Sequence, residues 1–260
     1  RFIERSILSV LNQEYPNTEL IIIDGGSSDE TVEIIKQYEK HIHYWISETD
    51  DGQSDALNKG FKKASGEIFG WLNSDDLYLD GALFNAARHL DANKDKSVVF
   101  GDWLSVDEDD KVIDYNYAFG FSLGHFIYEG FHANAQSMFW RPAVHEQFGS
   151  FDKDLYNTMD YQMIIGFGFS VGEQGFLRIP TALGAFRRYV GQKTGGGACD
   201  PVAGSRVETE HRAIAKRYRF EDKYRRLGKV KRYFYRVRRA YWYMKRGGFR
   251  ELGKRLNLAY

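Results

Sequence analysis

One stretch constrains the fold more than any other: Glu19-Leu20-Ile21-Ile22-Ile23-Asp24, followed at once by Gly25-Gly26-Ser27-Ser28. A short, unbroken, Ile-rich run suits a strand covered on both faces, as in a parallel sheet. Helical periodicity then runs from Asp29 to Lys40, so the order is strand, glycine turn, helix. The alternation continues. His43 to Ser47 reads as a strand, Asp55 to Ala64 as a helix, and Glu67 to Leu72 as another buried strand. Leu83 to Leu90 reads as a helix, Ser97 to Trp103 and Val112 to Tyr117 as extended, and Asp160 to Phe167 as a helix. Phe119 to Phe139 reads as irregular and Gly191 to Gly204 as a flexible loop. Strands alternating with helices predict a three-layer α/β domain with a mostly parallel mixed sheet. Ligands in such sheets bind beyond the carboxyl ends of the strands, which puts Asp24 and Asp75-Asp76 on one rim.

Composition narrows the class. With 260 residues, 43% hydrophobic and 16% aromatic, the chain has ample material for a core and is not a disordered polymer. A single cysteine, Cys199, excludes an internal disulfide framework and a multi-thiolate metal site. No apolar run reaches the roughly 20 residues that cross a bilayer. The neutral total charge divides unevenly. Residues 205–260 hold 19 Lys and Arg against 5 Asp and Glu, a net of +14, and residues 1–204 carry −14. We therefore expect two parts, an α/β body over 1–204 and a basic, aromatic helical tail over 205–260.

Three acidic positions carry candidate chemistry, each beside a plainer alternative. Asp24 ahead of two glycines lets backbone approach a ligand and offers a carboxylate to a ribose hydroxyl or a base N–H; equally, Ser27, Ser28 or Asp29 caps the next helix. In Asn73-Ser74-Asp75-Asp76, adjacent carboxylates repel unless a cation or donors compensate, which suits Mg²⁺ or Mn²⁺ shared with a diphosphate; a turn and helix cap is the alternative. Asp160 is placed to serve as a general base or as a helix cap. Neither the Gly-x-Gly-x-x-Gly fingerprint nor the Gly-Lys-Ser/Thr phosphate loop is present. His125, His132 and His145 have no spacing that compels a zinc site.

In order and spacing, these segments resemble the family-two glycosyltransferases, which have the nucleotide-sugar-binding GT-A (Rossmann-like) fold. The resemblance rests on Glu19 to Thr31, on Ser47-Glu48-Thr49-Asp50-Asp51-Gly52-Gln53-Ser54-Asp55 through Asn58 and Gly60, on Gly66-Glu67 leading to Trp71-Leu72-Asn73-Ser74-Asp75-Asp76, and on Gly149-Ser150-Phe151-Asp152 with Met159-Asp160. It covers roughly residues 1–195. It implies an inverting, metal-dependent transfer from a nucleotide sugar, UDP-linked by expectation, to a saccharide or lipid-linked acceptor in surface polysaccharide or glycolipid assembly. By the resemblance, Asp24, Gly25, Glu48, Asp50, Asp55, Asn58, Asn73 and Asp75 line the donor pocket. Asp76 faces the metal, Asp160 is the base, and His132, Gln136, Lys193 and Thr194 lie toward acceptor and diphosphate. A nucleotide-sugar-binding relative without this chemistry, or a retaining one, is the alternative.

The sequence departs from the family pattern at three places. Gly25 stands where many relatives have Asp, Asn73 replaces the first Asp of the metal region, and Tyr189 stands where a late loop often has His. The chain opens with Arg1 inside a helical pattern. Relatives usually begin with a strand that this chain is expected to lack, which predicts poor activity for the chain as it stands. The tail's mixture of Lys and Arg with Tyr, Phe and Trp fits an amphipathic helix on an anionic membrane or a helix packed on the body. A membrane- or RNA-docking adaptor with a structural body is a further alternative, although the acidic body makes nucleic acid the weaker partner. The expected location is cytoplasmic, with the tail peripheral on the cytoplasmic face of the membrane.

Overall fold

The computed structural model describes residues 1–130, 133–193, 201–224 and 226–255. Helix α1 (Ile3–Leu11) turns Ile3, Ile7 and Val10 inward. Strand β1 (Ile21–Asp24) is joined through helix α2 (Thr31–Gln37) to strand β2 (Tyr44–Ser47), and the two strands pair in parallel. Their register sets Asp24 opposite Ser47. Helix α3 (Gln53–Lys63) packs against β1.

Strands β3 (Phe69–Gly70), β4 (Leu77–Tyr78), β5 (Val98–Val106), β6 (Val112–Asn116), β7 (Met138–Trp140) and β8 (Phe176–Arg187) form a second sheet in the order β3-β7-β5-β8-β4, with β6 on β5. Side chains alternate across it. Val98, Phe100, Met138 and Trp140 enter one core with helices α5 (Leu123–Glu129), α6 (Pro142–Phe148) and α7 (Met159–Val171). Val99, Phe139, Ile179 and Leu183 enter another with helix α4 (Ala82–Ala92). Period-two burial on both faces makes three layers. Helices α8 (Pro201–Arg217) and α9 (Arg226–Arg255) complete the described chain, and Ile214, Ala215 and Phe220 join the larger core.

Three expectations need correction. A mostly parallel sheet holds only for β1–β2 and β5–β8; the other four pairs are antiparallel. The short β5–β6 connection permits nothing else. The segment 119–139 is not irregular throughout, because it contains α5, where Ser122 Oγ accepts from His125 N at 3.4 Å, and most of β7. Strand β8 has no counterpart in the sequence reading. Pro180 interrupts its pattern, but it sits where the β5–β8 register jumps from Phe100↔Arg178 to Asp102↔Ala182, a bulge that spares it a ladder bond. Residues 194–200 of the expected 191–204 loop lie outside the described residues.

Candidate active site

Asp24 closes β1 as a buried carboxylate with four donors. Ser27 Oγ donates at 2.5 Å, Ser47 Oγ at 2.6 Å, and the N–H groups of Ser27 and Gly26 at 2.9 and 3.2 Å. Burial pushes its carboxyl up, but these bonds together outweigh that and hold it below the usual range. Asp50 reaches over the same turn, so close that a Cβ on Gly25 would lie 2.7 Å from Asp50 Oδ2. Asp50 Oδ1 in turn accepts from Gly52 N at 2.8 Å.

The turn after β3 carries the second cluster. Asp76 is fully buried: Oδ1 accepts from Arg187 N at 2.9 Å and Oδ2 from Asn73 Nδ2 at 3.0 Å. Burial, then the neighbouring Asp75 charge, push its carboxyl up to about 7. Asp75 is the outward member and accepts the Tyr189 hydroxyl at 3.0 Å. Arg187, at the end of β8, is buried. It donates through Nε to Asp75 O at 2.7 Å, pairs with Asp110, and lies 4.5 Å over the Phe2 ring.

Gln53, in the first turn of α3, joins these clusters to the third. Its amide donates to Asn73 Oδ1 at 2.8 Å and accepts from Lys193 Nζ at 3.3 Å. Lys193 sits 4.0 Å over Tyr156, and burial lowers its ammonium below the usual range against the pull of the Glu210 and Asp160 charges. Asp160 lies in the first turn of α7 rather than at its cap, which is Thr158. Its Oδ1 accepts from Tyr161 N at 2.7 Å. Burial pushes the Asp160 carboxyl up to about 6, against the pull of the Tyr161 N–H and the Lys193 ammonium, with Glu210 adding to the rise. Glu210 of α8 also fastens the approach to α7, accepting from Tyr156 N and Asn157 N, both at 3.0 Å, and from Thr158 Oγ1 at 2.8 Å.

Asp24, Gly25 and Asp50 thus share one turn, Gln53 three positions after Asp50 ties Asn73 of the Asp75 turn to Lys193, and Lys193 is near enough to Asp160 for their charges to interact. Other expected residues have different occupations. Asn58 exchanges two 2.9 Å bonds with the Phe151 backbone, holding that segment to α3. Asp55 pairs with Lys153 at 2.7 Å and Lys59 at 3.4 Å, and its carboxyl falls to about 2, chiefly through Lys153. Glu48 pairs with Lys59 at 2.8 Å. Gln136 is buried, with Nε2 lacking a hydrogen-bond partner, and its carbonyl presses on Gly184. His132 and Thr194 lie outside the described residues. Gln53, Arg187 and Glu210 are the residues that sequence reasoning missed. Gln53 stands inside the Ser47 to Asp55 motif yet was given no role, and each of the three acts through a partner at least 20 positions away.

The fit to a divalent cation follows from the donors. Among the described residues no group of three or more His, Cys, Asp or Glu could hold a metal. Asp76 does not fit the metal-facing role expected of it, since it is sealed and both its oxygens are engaged. Asp75 does fit, as an outward carboxylate beside a hydroxyl. Mg²⁺ and Mn²⁺ are commonly held by one or two carboxylates with substrate phosphates and water supplying the rest.

The sequence model of glycosyl transferase family 2 matches residues 1–157. The chain belongs to glycosyltransferase family 2. It is 38% identical over 101 residues to a poly-β-1,6-N-acetyl-D-glucosamine synthase of Staphylococcus epidermidis, covering 38% of this chain and 24% of that one. It is 39% identical over 85 residues to an uncharacterized glycosyltransferase of Haemophilus influenzae, covering 32% and 34%. The matches therefore span about a third or less of these relatives. Among solved structures, Staphylococcus aureus TarS with UDP-GlcNAc superposes at a TM-score of 0.60 and 16% identity, over 86% of this chain and 69% of that one. A Pyrobaculum calidifontis mannosyltransferase with GDP-Man and Mn²⁺ gives 0.56 and 18%, over 83% and 60%. The likeness shows the fold, the GT-A α/β domain. Among the described residues no helix is long and apolar enough to cross a membrane.

Proposed function

We propose that the protein transfers a sugar from a nucleotide-sugar donor to an acceptor hydroxyl with inversion, in the assembly of a polysaccharide or glycolipid. The observation that carries the reading is the Gln53 bridge, which links the Asp50–Gly52 loop, the Asn73–Asp76 turn and Lys193, the neighbour of Asp160.

The acceptor oxygen attacks the anomeric carbon while its proton passes to an Asp160 oxygen. The bond from that carbon to the diphosphate oxygen breaks on the opposite face, and the nucleoside diphosphate leaves with the electron pair. Asp160 is suited to the task because a carboxyl near 6 is ionised at neutral pH yet more basic than an ordinary one. Lys193 offers a cation to the departing diphosphate. Asp24 and Asp50 take the nucleoside side, where Gly25 leaves backbone open to close approach. A divalent cation, held at Asp75 beside Tyr189, would neutralise diphosphate charge. The ligands held by the two similar solved structures, UDP-GlcNAc and GDP-Man, support a nucleotide-sugar donor, and a UDP-linked one is our preference.

The test is a thermal-shift and product screen on the full-length protein with UDP-GlcNAc, UDP-glucose, UDP-galactose and GDP-mannose, each with Mn²⁺ or EDTA. The reading expects stabilisation by at least one donor and a product of inverted anomeric configuration by NMR. Indifference to all nucleoside diphosphates, or a retained configuration, would defeat it.

A further inference from the structure

Helix α9 presents two faces of opposite purpose. One is fixed to the body. Gly228 is buried, Lys231 donates to Asp222 at 2.6 Å and to the Tyr128 hydroxyl at 3.1 Å, and Arg239 pairs at 3.0 Å with the buried Glu129. Tyr235 lies over Gly124, where even a Cβ would come 2.0 Å from the Tyr235 hydroxyl, so α5 needs glycine there for the helices to meet. Trp242 packs on Phe119 with centroids 5.2 Å apart.

The other face is apolar and open. Val230, Tyr233, Phe234, Val237 and Tyr241 recur at i, i+3, i+4, i+7 and i+11, the spacing of one helical stripe, and each is at least 51% exposed. Cations flank the stripe: Lys229 and Arg236 on one side, with Arg236 also pairing with Glu129 at 3.4 Å, and Arg238 and Lys245 on the other, all exposed, whereas Arg232 turns to the body and donates to Tyr128 O at 3.2 Å. The whole helix carries twelve Lys and Arg and one acidic residue, Glu251.

We infer that this outward face of α9 docks the protein on an anionic phospholipid surface, with the stripe entering the headgroup boundary and the flanking cations meeting lipid phosphates. An apolar stripe between cationic borders is the pattern of a helix lying in a membrane interface, and the charge matches anionic lipid. A second copy is disfavoured as occupant, since pairing stripe to stripe would bring two cationic borders together with almost no acid to offset them. A nucleic acid suits the borders, and Tyr233, Phe234 and Tyr241 offer rings for bases to stack on, but Val230 and Val237 interrupt that row and add apolar area that a headgroup boundary takes up and a nucleic acid does not. The inference goes beyond the sugar-transfer reading and does not depend on it.

The experiment is sedimentation of the full-length protein with vesicles of phosphatidylcholine alone and of phosphatidylcholine with about a third phosphatidylglycerol, at low and high salt. The expected result is binding to the anionic vesicles that weakens with salt. The triple change Val230→Ser, Phe234→Ser, Val237→Ser should cut it by at least roughly tenfold. The pair Lys229→Gln, Arg238→Gln should cut it by roughly thirtyfold. Circular dichroism checks that both variants fold, and nucleoside-diphosphate binding in the same preparations reports separately on the sugar-transfer reading. Undiminished vesicle binding by the triple variant overturns the inference. So does binding to RNA in preference to vesicles, or a wild-type dimer that the triple variant dissolves.

Discussion

The Tyr189 hydroxyl donates to Asp75 Oδ2 at 3.0 Å, tying the loop after β8 to the turn after β3. Burial, then the Asp75 charge, push the phenol up to about 12, so it remains a donor wherever the protein is folded. Tyr189→Phe keeps the ring, which packs 4.8 Å from Phe2, and removes only the bond. At this half-buried site the loss should be about 1 kcal/mol in urea unfolding. Nucleoside-diphosphate binding with Mn²⁺ should weaken by roughly three- to tenfold, because Asp75 is no longer oriented. Wild-type values in both titrations would show the bond to be idle.

Asp160 must be ionised to accept a proton, and its carboxyl lies at about 6. The rate kcat/KM should therefore rise with pH through a limb near 6 and flatten above it. Asp160→Asn should lower kcat by about 10²- to 10⁴-fold while donor affinity stays within about threefold. An acid limb that persists in the Asn variant would assign the proton to another group.

Glu210 differs from Asp160 in acting at a distance from the reacting atoms, as a positioning residue. It accepts three bonds from residues 156–158 and raises Asp160 by its charge. Glu210→Gln removes the charge and supplies an amide where two N–H groups and a hydroxyl need acceptors. The acid limb of kcat/KM should move below 6, and kcat should fall by roughly tenfold. A drop in stability with the limb unmoved would reduce Glu210 to a structural clamp.

Gly25 and Asp50 compete for one volume. A side chain at position 25 would meet Asp50 Oδ2 at 2.7 Å, and an acidic one would add like-charge repulsion. Gly25→Asp should weaken nucleoside-diphosphate binding by at least roughly tenfold, and Asp50→Ala in the same chain should recover most of that. Losses that simply add, measured by calorimetry on the two single variants and the double, would mean the residues act independently.

Much of this arrangement was legible in the sequence, and the remainder was hidden for physical reasons. The Ile-rich run before Asp24 announced β1, and the family resemblance put Asp24, Asp75 and Asp160 forward as acids of one site. Which of the paired acids faces outward was not legible. Asp75 and Asp76 are adjacent, and burial of the second depends on Arg187 N, 111 residues away. The tail was readable as basic and aromatic, but its division into a docked face and an open face depends on where Glu129 and Gly124 stand on α5. Strand β8 was masked by Pro180, which only a bulge in a paired strand can absorb.

The buried Asp76 makes a prediction about stability rather than rate. Its carboxyl lies at about 7 in the folded protein against 3.8 ordinarily, because burial and then Asp75 oppose its charge. A group that holds its proton more tightly when folded contributes stability that is complete below about pH 4 and lost as pH rises through 7. At about 1.4 kcal/mol per pH decade the loss totals roughly 4 kcal/mol. Asp76→Asn cannot ionise, and whatever fixed cost its amide brings cancels when the same variant is compared at two pH values. In metal-free buffer, the urea stability of wild type minus that of the Asn variant should therefore fall by roughly 2–4 kcal/mol between pH 4 and pH 8. A difference that stays constant across that interval would mean that Asp76 is ionised throughout, stabilised by Arg187 N and Asn73 more strongly than burial opposes it.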